Sequence, residues 1–201
     1  MTTTDFRDRL YELYRPPSDH FTFVDVPDMQ FAVIDGDGNP EGEVFAKAIK
    51  WLFTTIYPIK QDAKKRMGKR FAEPPLECLW WADDMSDLIL GNKDKLKWRL
   101  MIVLPHWTDD DLFEQGVETA VGRLGEKPTT LRREIMKEGR SVQILHKGPY
   151  EELEEINAKL YRDFLPEHDL KPNGFHHQIY LDDPTRTASQ KRKTIIRQPV
   201  I

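Results

Sequence analysis

The run Phe45, Ala48, Ile49, Leu52, Phe53 and Ile56 constrains this chain most, because apolar residues three and four apart form one continuous stripe along a helix. Such a stripe needs a surface to cover, and the flanking sequence supplies β-type segments for it. Phe21 to Asp35 is rich in Phe, Val and Ile and is broken once, at Pro27-Asp28, which predicts two short strands. Leu76 to Trp81 and Lys97 to Leu104 predict two more, separated by an acidic turn at Asp83-Asp84 and a polar stretch at Gly91-Asn92-Lys93. Between the first strands and the helix, Asp35 to Pro40 reads as a turn, with Asn39 as the helix cap and Pro40 in its first turn. Pro58 reads as the end of that helix.

The same order returns further on. Thr108 is placed to cap a helix through Leu124, with Asp109 to Asp111 at the positive end of its dipole and Phe113, Val117, Ala120, Val121 and Leu124 as its stripe. A strand pair follows, Leu131 to Met136 and Ser141 to His146. Next comes a helix opened by Gly148-Pro149, burying Leu153, Ile156, Leu160, Tyr161 and Phe164, and ended by Pro166. The last strands are His176 to Leu181 and Lys193 to Val200. Each half therefore reads strand, helix, strand, strand. A residue-level echo accompanies the order: Leu79-Trp80-Trp81-Ala82-Asp83-Asp84 parallels Gln178-Ile179-Tyr180-Leu181-Asp182-Asp183, and Leu104-Pro105 parallels Gln198-Pro199. Ahead of both halves, Thr4 to Tyr14 reads as a helical arm capped at Thr4, with Leu10, Tyr11 and Tyr14 on one face and Pro16-Pro17 as its stop.

With 201 residues, 39% of them apolar, the chain can bury a full core. Its 30 Lys and Arg against 34 Asp and Glu leave a formal charge of -4, which argues against a nucleic-acid partner. The cations between Lys60 and Arg70 have no aromatic residues among them and read as a solvated loop. Cys78, the single cysteine, cannot form an internal disulfide and reads as a small core residue in a reducing compartment. The polar, acidic start is unlike a signal peptide and no window is long enough to span a bilayer, so a cytoplasmic protein without a membrane partner is expected. His176 and His177 are neighbours on a strand and point to opposite faces, so they do not predict a shared metal. Phosphate-loop, nucleophile-elbow and dinucleotide patterns are missing, and no cofactor is expected.

Three separated motifs carry a resemblance: Pro75-Leu76-Glu77-Cys78-Leu79-Trp80-Trp81-Ala82-Asp83-Asp84-Met85, then Leu145-His146-Lys147-Gly148-Pro149-Tyr150, then His176-His177-Gln178-Ile179-Tyr180-Leu181-Asp182-Asp183-Pro184. In this order, from about Phe21 to Val200, they resemble the stand-alone branch of the GyrI-like proteins. The resemblance implies an α+β fold of duplicated strand-helix-strand-strand (SHS2) modules, with an antiparallel sheet lining a central ligand cleft. It also implies a helical arm over residues 1–20 and a domain over 21–201, with halves at about 21–105 and 106–201. The same domain serves as ligand sensor in some multidrug-responsive regulators, although the residues before Phe21 are too few for a DNA-binding helix-turn-helix. Similar stand-alone members hydrolyse cyclopropane-bearing genotoxins. Where the resemblance implies a central glutamate, this chain has Gln178, an amide that can hydrogen-bond but cannot be a carboxylate base.

The resemblance implies that Gln178 faces the cleft, and on a strand His176 and Tyr180 then share its face. The echo maps them onto Glu77, Leu79 and Trp81, which predicts a cleft lined by both sets, with Trp81, Gln178 and Tyr180 bordering one cavity. Trp80, Trp98, Met101, His146, Tyr150 and Tyr57 are candidates to extend its wall. Aromatic walls suit flat hydrophobic or cationic small molecules. For hydrolysis, Glu77 is the candidate base, with Gln178 and Tyr180 beside it and Tyr180 or a Trp N–H stabilising a developing oxyanion. Sequestration or sensing without turnover is the alternative.

Overall fold

The computed structural model describes residues 8, 10–84, 87 and 92–201. Strands β1 (Thr22–Val26), β2 (Met29–Asp37), β3 (Leu76–Trp81), β4 (Lys97–Val103), β5 (Arg132–Met136), β6 (Gly139–Lys147), β7 (His176–Tyr180) and β8 (Lys193–Pro199) form one antiparallel sheet in the order β1-β6-β8-β7-β3-β4-β2-β5. Helices α1 (Glu43–Thr55), α2 (Tyr57–Met67) and α3 (Asp110–Leu124) pack at the β3-β4-β2 end of that order. The β6-β8 end carries α4, which is α-helical over Leu153–Ala158, widens to a π-helix over Lys159–Phe164 and closes as α-helix over Leu165–Glu167.

The curvature of the sheet follows from two short turns. β1 and β2 are joined only by Pro27-Asp28, yet five strands lie between them in the sheet. Across a flat sheet they would be about 29 Å apart, whereas two residues reach about 11 Å at most. Lys137-Glu138 imposes the same closure on β5 and β6. The sheet therefore curls into a half-barrel with an inner face and a helix-covered outer face.

The element positions show the duplication. β1 and β2 recur as β5 and β6 at an offset of 110 residues, β3 as β7 at 100 and β4 as β8 at 96. Pairing agrees with these offsets, since Thr22 opposite Gln143 and Arg132 opposite Val33 are the same contact in the two halves. The offset of 100 also corrects the sequence echo, which matched β3 to β7 at 99. Glu77 corresponds to His177, Cys78 to Gln178 and Trp80 to Tyr180. Because side chains alternate along a strand, a slip of one residue moves every one of them to the other face.

Local signals explain most of the remaining differences from expectation. Pro58 does not end a helix but lies in the first turn of α2, where a missing N–H costs nothing, so the Lys60–Arg70 region expected to be loop is helical through Met67. Pro166 is likewise absorbed in a first turn, that of the last segment of α4. Helix α1 begins at Glu43 behind Gly42 rather than at Asn39, and α3 is capped by the Asp109 carboxylate on the Leu112 amide rather than by Thr108. In the arm, Asp8 and Leu10–Leu13 are helical; the expected Thr4 cap and the turn residue Gly91 lie outside the described residues. Among the described residues, no helix is long and apolar enough to cross a membrane.

Four apolar clusters follow from this geometry, two on each face. On the outer face α1 and α3 cover Cys78, Trp80, Trp98, Leu100 and Ile102, while α4 separately covers Val142, Ile144 and Ile196. The inner face is filled by Phe31, Val33, Leu79, Met101, Ile179 and Ile195, with Leu13 and Tyr14 of the arm laid over it.

Candidate functional site

Strand pairing settles which predicted residues meet. Glu77 lies opposite Ile179 and Met101, whereas Cys78 lies opposite Gln178 and Trp80 opposite both His176 and Trp98. Glu77, Leu79, Trp81 and Met101 therefore share the inner face, and Trp80, Trp98, His176, Gln178 and Tyr180 share the outer one. The expected cleft, lined by Glu77, Leu79 and Trp81 from one half and His176, Gln178 and Tyr180 from the other, is not formed, since the two sets lie on opposite faces. The physical reason is the register correction above.

On the outer face the two halves keep separate cores, and β3 and β7 make the floor between them. Along this floor Gln178 and Tyr180 are half-buried, while Trp80 is 5% and His176 0% exposed. Phe45 of α1 stacks on Trp80 at 5.7 Å from the first-half side. Tyr150, just before α4, meets Tyr180 edge-on at 5.6 Å from the other, and the Arg192 guanidinium lies 5.1 Å over its ring. Trp98 is only 1% exposed, because its ring fills the space that a Cβ on Gly36 would take, so it is core under the floor. His146 is on the outer face at the end of β6, close to the Pro149 carbonyl at 3.3 Å and the Glu152 carboxylate at 3.4 Å. Tyr57 is exposed at the start of α2, beside Arg123 of α3.

A hydrogen-bond chain runs through the floor, and its proton positions can be derived from one end. Gln198 donates through Nε2 to the carbonyls of Pro199 at 2.9 Å and Gly174 at 3.2 Å, so its Oε1 is left to accept. Tyr161 O–H fills that acceptor at 2.5 Å. The Tyr161 oxygen then accepts from His176 Nδ1 at 2.9 Å, and His176 Nε2 accepts from the Gln178 amide at 3.2 Å. This orients Gln178 Oε1 to accept from Tyr180 O–H at 2.8 Å, and the Tyr180 oxygen accepts from Trp80 Nε1 at 3.2 Å. The chain is uncharged from end to end. Burial, together with the His177 charge behind the sheet, lowers the His176 pKa to about 3, and burial pushes the Tyr180 and Tyr161 hydroxyls up. Within this chain the second amide hydrogen of Gln178 is left uncommitted; on the same face Trp98 Nε1 and Thr194 Oγ1 are buried without a hydrogen-bond partner.

Tyr161 and Gln198 are the site residues that sequence reasoning missed. Tyr161 reads as helix stripe beside Leu160, and nothing in the spacing marks its hydroxyl as part of a site. In the structure Tyr161 lies within the π turn over Lys159–Phe164.

The inner face has a different character. Glu77 Oε2 is 2.9 Å from His177 Nε2, a charge contact rather than an aligned hydrogen bond, and Glu138 Oε1 is 2.7 Å from His177 Nδ1. Arg197 reaches Glu138 at 3.2 Å, Gln143 at 3.0 Å and the Leu13 carbonyl at 2.8 Å, while Tyr14 O–H donates to Glu77 Oε1. Burial alone would raise the Glu138 pKa, but His177 and Arg197 outweigh it and bring it to about 2. Burial would lower the His177 pKa, yet Glu138 and Glu77 raise it. These groups tie the arm and the β5–β6 turn to the inner face. Glu77 and His177 are fully buried there, and Trp81 stacks on Phe175 at 4.5 Å on that same side.

Two strands, a helical segment and two further strands, repeated around one curled antiparallel sheet, define a class of duplicated α+β domains. The chain belongs to the GyrI-like small molecule binding domain family, whose model matches residues 20–201. It is similar, at 30% identity over 98% of each chain and with a TM-score of 0.83, to the crystal structure of an uncharacterized conserved protein from Listeria innocua. It is similar at 29% identity, again over 98% of each chain and with a TM-score of 0.78, to the crystal structure of a hydrolase from Listeria innocua. The EcmrR C-terminal domain shares the fold at 12% identity and a TM-score of 0.58, over 90% of this chain and 97% of that one. No curated protein sequence matches the chain.

Proposed function

We propose that the outer-face floor between the two halves binds a planar, uncharged hydrophobic molecule carrying a carbonyl, and that the protein adds water to a strained cyclopropane conjugated to that carbonyl. The observation that carries the reading is the uncharged chain Trp80–Tyr180–Gln178–His176, which spans both halves with one amide hydrogen left for a ligand. Tyr180 and Tyr150 supply apolar stacking area, and the Gln178 N–H supplies a donor where charge develops on the carbonyl oxygen. His176 is fully buried with both ring nitrogens engaged, so it orients the Gln178 amide, while Glu77, the base expected from the sequence, lies on the inner face. The similarity to a protein named as a hydrolase supports turnover. Sequestration without turnover is the second reading. It is favoured by Gln178, which puts an amide rather than a carboxylate at the centre of the floor.

Incubating substoichiometric protein with excess cyclopropyl-dienone compound, and following the ring-opened product, separates the two. Hydrolysis predicts consumption of many equivalents, slowed by His176→Gln. Protection that stops at one equivalent would establish sequestration, and no interaction would reject the ligand site.

A further inference from the structure

The polarity of the floor is set at its buried end. Gln198 cannot turn over without aiming its oxygen at the Gly174 and Pro199 carbonyls, so Tyr161 must give it a proton and must take one from His176 Nδ1. His176 is enclosed by Tyr161 from α4, Gln198 from β8, Trp80 across the strand pair and Gln178 along its own strand, with His177 behind the sheet. None of the four on its own face carries a charge, and its Nε2 is left as an acceptor aimed at residue 178.

We infer that Tyr161 and Gln198 are positioning residues that hold His176 as an acceptor toward residue 178, so that the floor presents an amide N–H and selects uncharged, carbonyl-bearing ligands. The selectivity rests on the ligand site proposed above; the proton arrangement does not. A carboxylate at 178 would have no proton for His176 Nε2, and two acceptors would meet at contact distance. Reversing the imidazole is blocked, because the Tyr161 proton is committed to Gln198. The relief is uptake of one proton from solvent by His176, which gives an imidazolium–carboxylate pair with no net charge. Gln178→Glu therefore does not create a trap for cations.

Ring-nitrogen NMR of the ligand-free protein at pH 7, combined with titration by N-methylacridone and the cation N-methylacridinium, tests this. The parent is expected to hold its single His176 ring proton on Nδ1. In Gln178→Glu both ring nitrogens should be protonated, and the cation should gain less than about threefold in affinity. In Gln178→Glu with Tyr161→Phe, His176 should return to one proton, now on Nε2, and the cation should gain about tenfold or more from the uncompensated charge. Should that double variant not fold, Gln178→Glu with Gln198→Leu releases the Tyr161 proton and predicts the same tautomer. A parent proton on Nε2, or Gln178→Glu with one ring proton and the full gain for the cation, would overturn the inference. If neither dye binds any variant, the proposed ligand site fails, while the ring-nitrogen states still decide the role of Tyr161 and Gln198.

Discussion

At the scale of single residues, positions three apart on β3 do unlike work, because Glu77 faces buried charges and Trp80 faces the floor. Glu77→Gln removes one partner of a buried pair and leaves the arm's Tyr14 without its acceptor charge. It is expected to cost about 3 kcal/mol of stability, read from denaturant midpoints. A loss below about 0.5 kcal/mol would show that the inner network does not tie the molecule together. The types of these residues were legible in the sequence, and so were their strands. Their faces were not, because the echo was anchored on Asp83-Asp84 and Asp182-Asp183, which follow the strands. Those loops differ in length between the halves, spanning 82–96 and 181–192, so matching them imposed a slip of one. Pairing partners a hundred residues away carry the true register, and a linear reading does not contain them.

Among the elements, α1 and α3 were legible because their stripes keep one period from end to end. Helix α2 and the close of α4 were not, since Pro58 and Pro166 act as stops from one side and as first-turn residues from the other. The packing of α1 on α3 depends on Gly116, where a Cβ would lie 2.1 Å from the Thr55 carbonyl oxygen. Gly116→Ala must separate the two helices and is expected to cost more than about 2 kcal/mol, measured by thermal or denaturant unfolding. Gly122 of the same helix has nothing within 4 Å of its Cβ position, so Gly122→Ala should be neutral or stabilising by up to about 1 kcal/mol.

For the whole molecule, the two faces of one half-barrel divide the labour, charge inside and an uncharged floor outside, and both leave marks on stability against pH. His176 has its folded pKa lowered to about 3, so its contribution is complete above its ordinary value of 6.5 and is lost as the pH falls below that. Glu138, lowered from 4.5 to about 2, adds a second loss below 4.5. His177 is raised, so its contribution is complete below 6.5 and is lost as the pH rises through the folded value. Stability should therefore peak near neutrality and fall on both sides, with the onset of the acid limb moving from about 6.5 toward 4.5 in His176→Gln. An acid limb unchanged by that substitution would remove His176 from the account. The central claim, that ligand binds the outer floor and not the inner face, is tested most directly by two half-buried aromatics on neighbouring strands. Affinity for N-methylacridone, measured by calorimetry, should fall about tenfold or more in Tyr180→Ala and stay within about threefold in Trp81→Ala. The reverse ranking, with both variants folded, would contradict it.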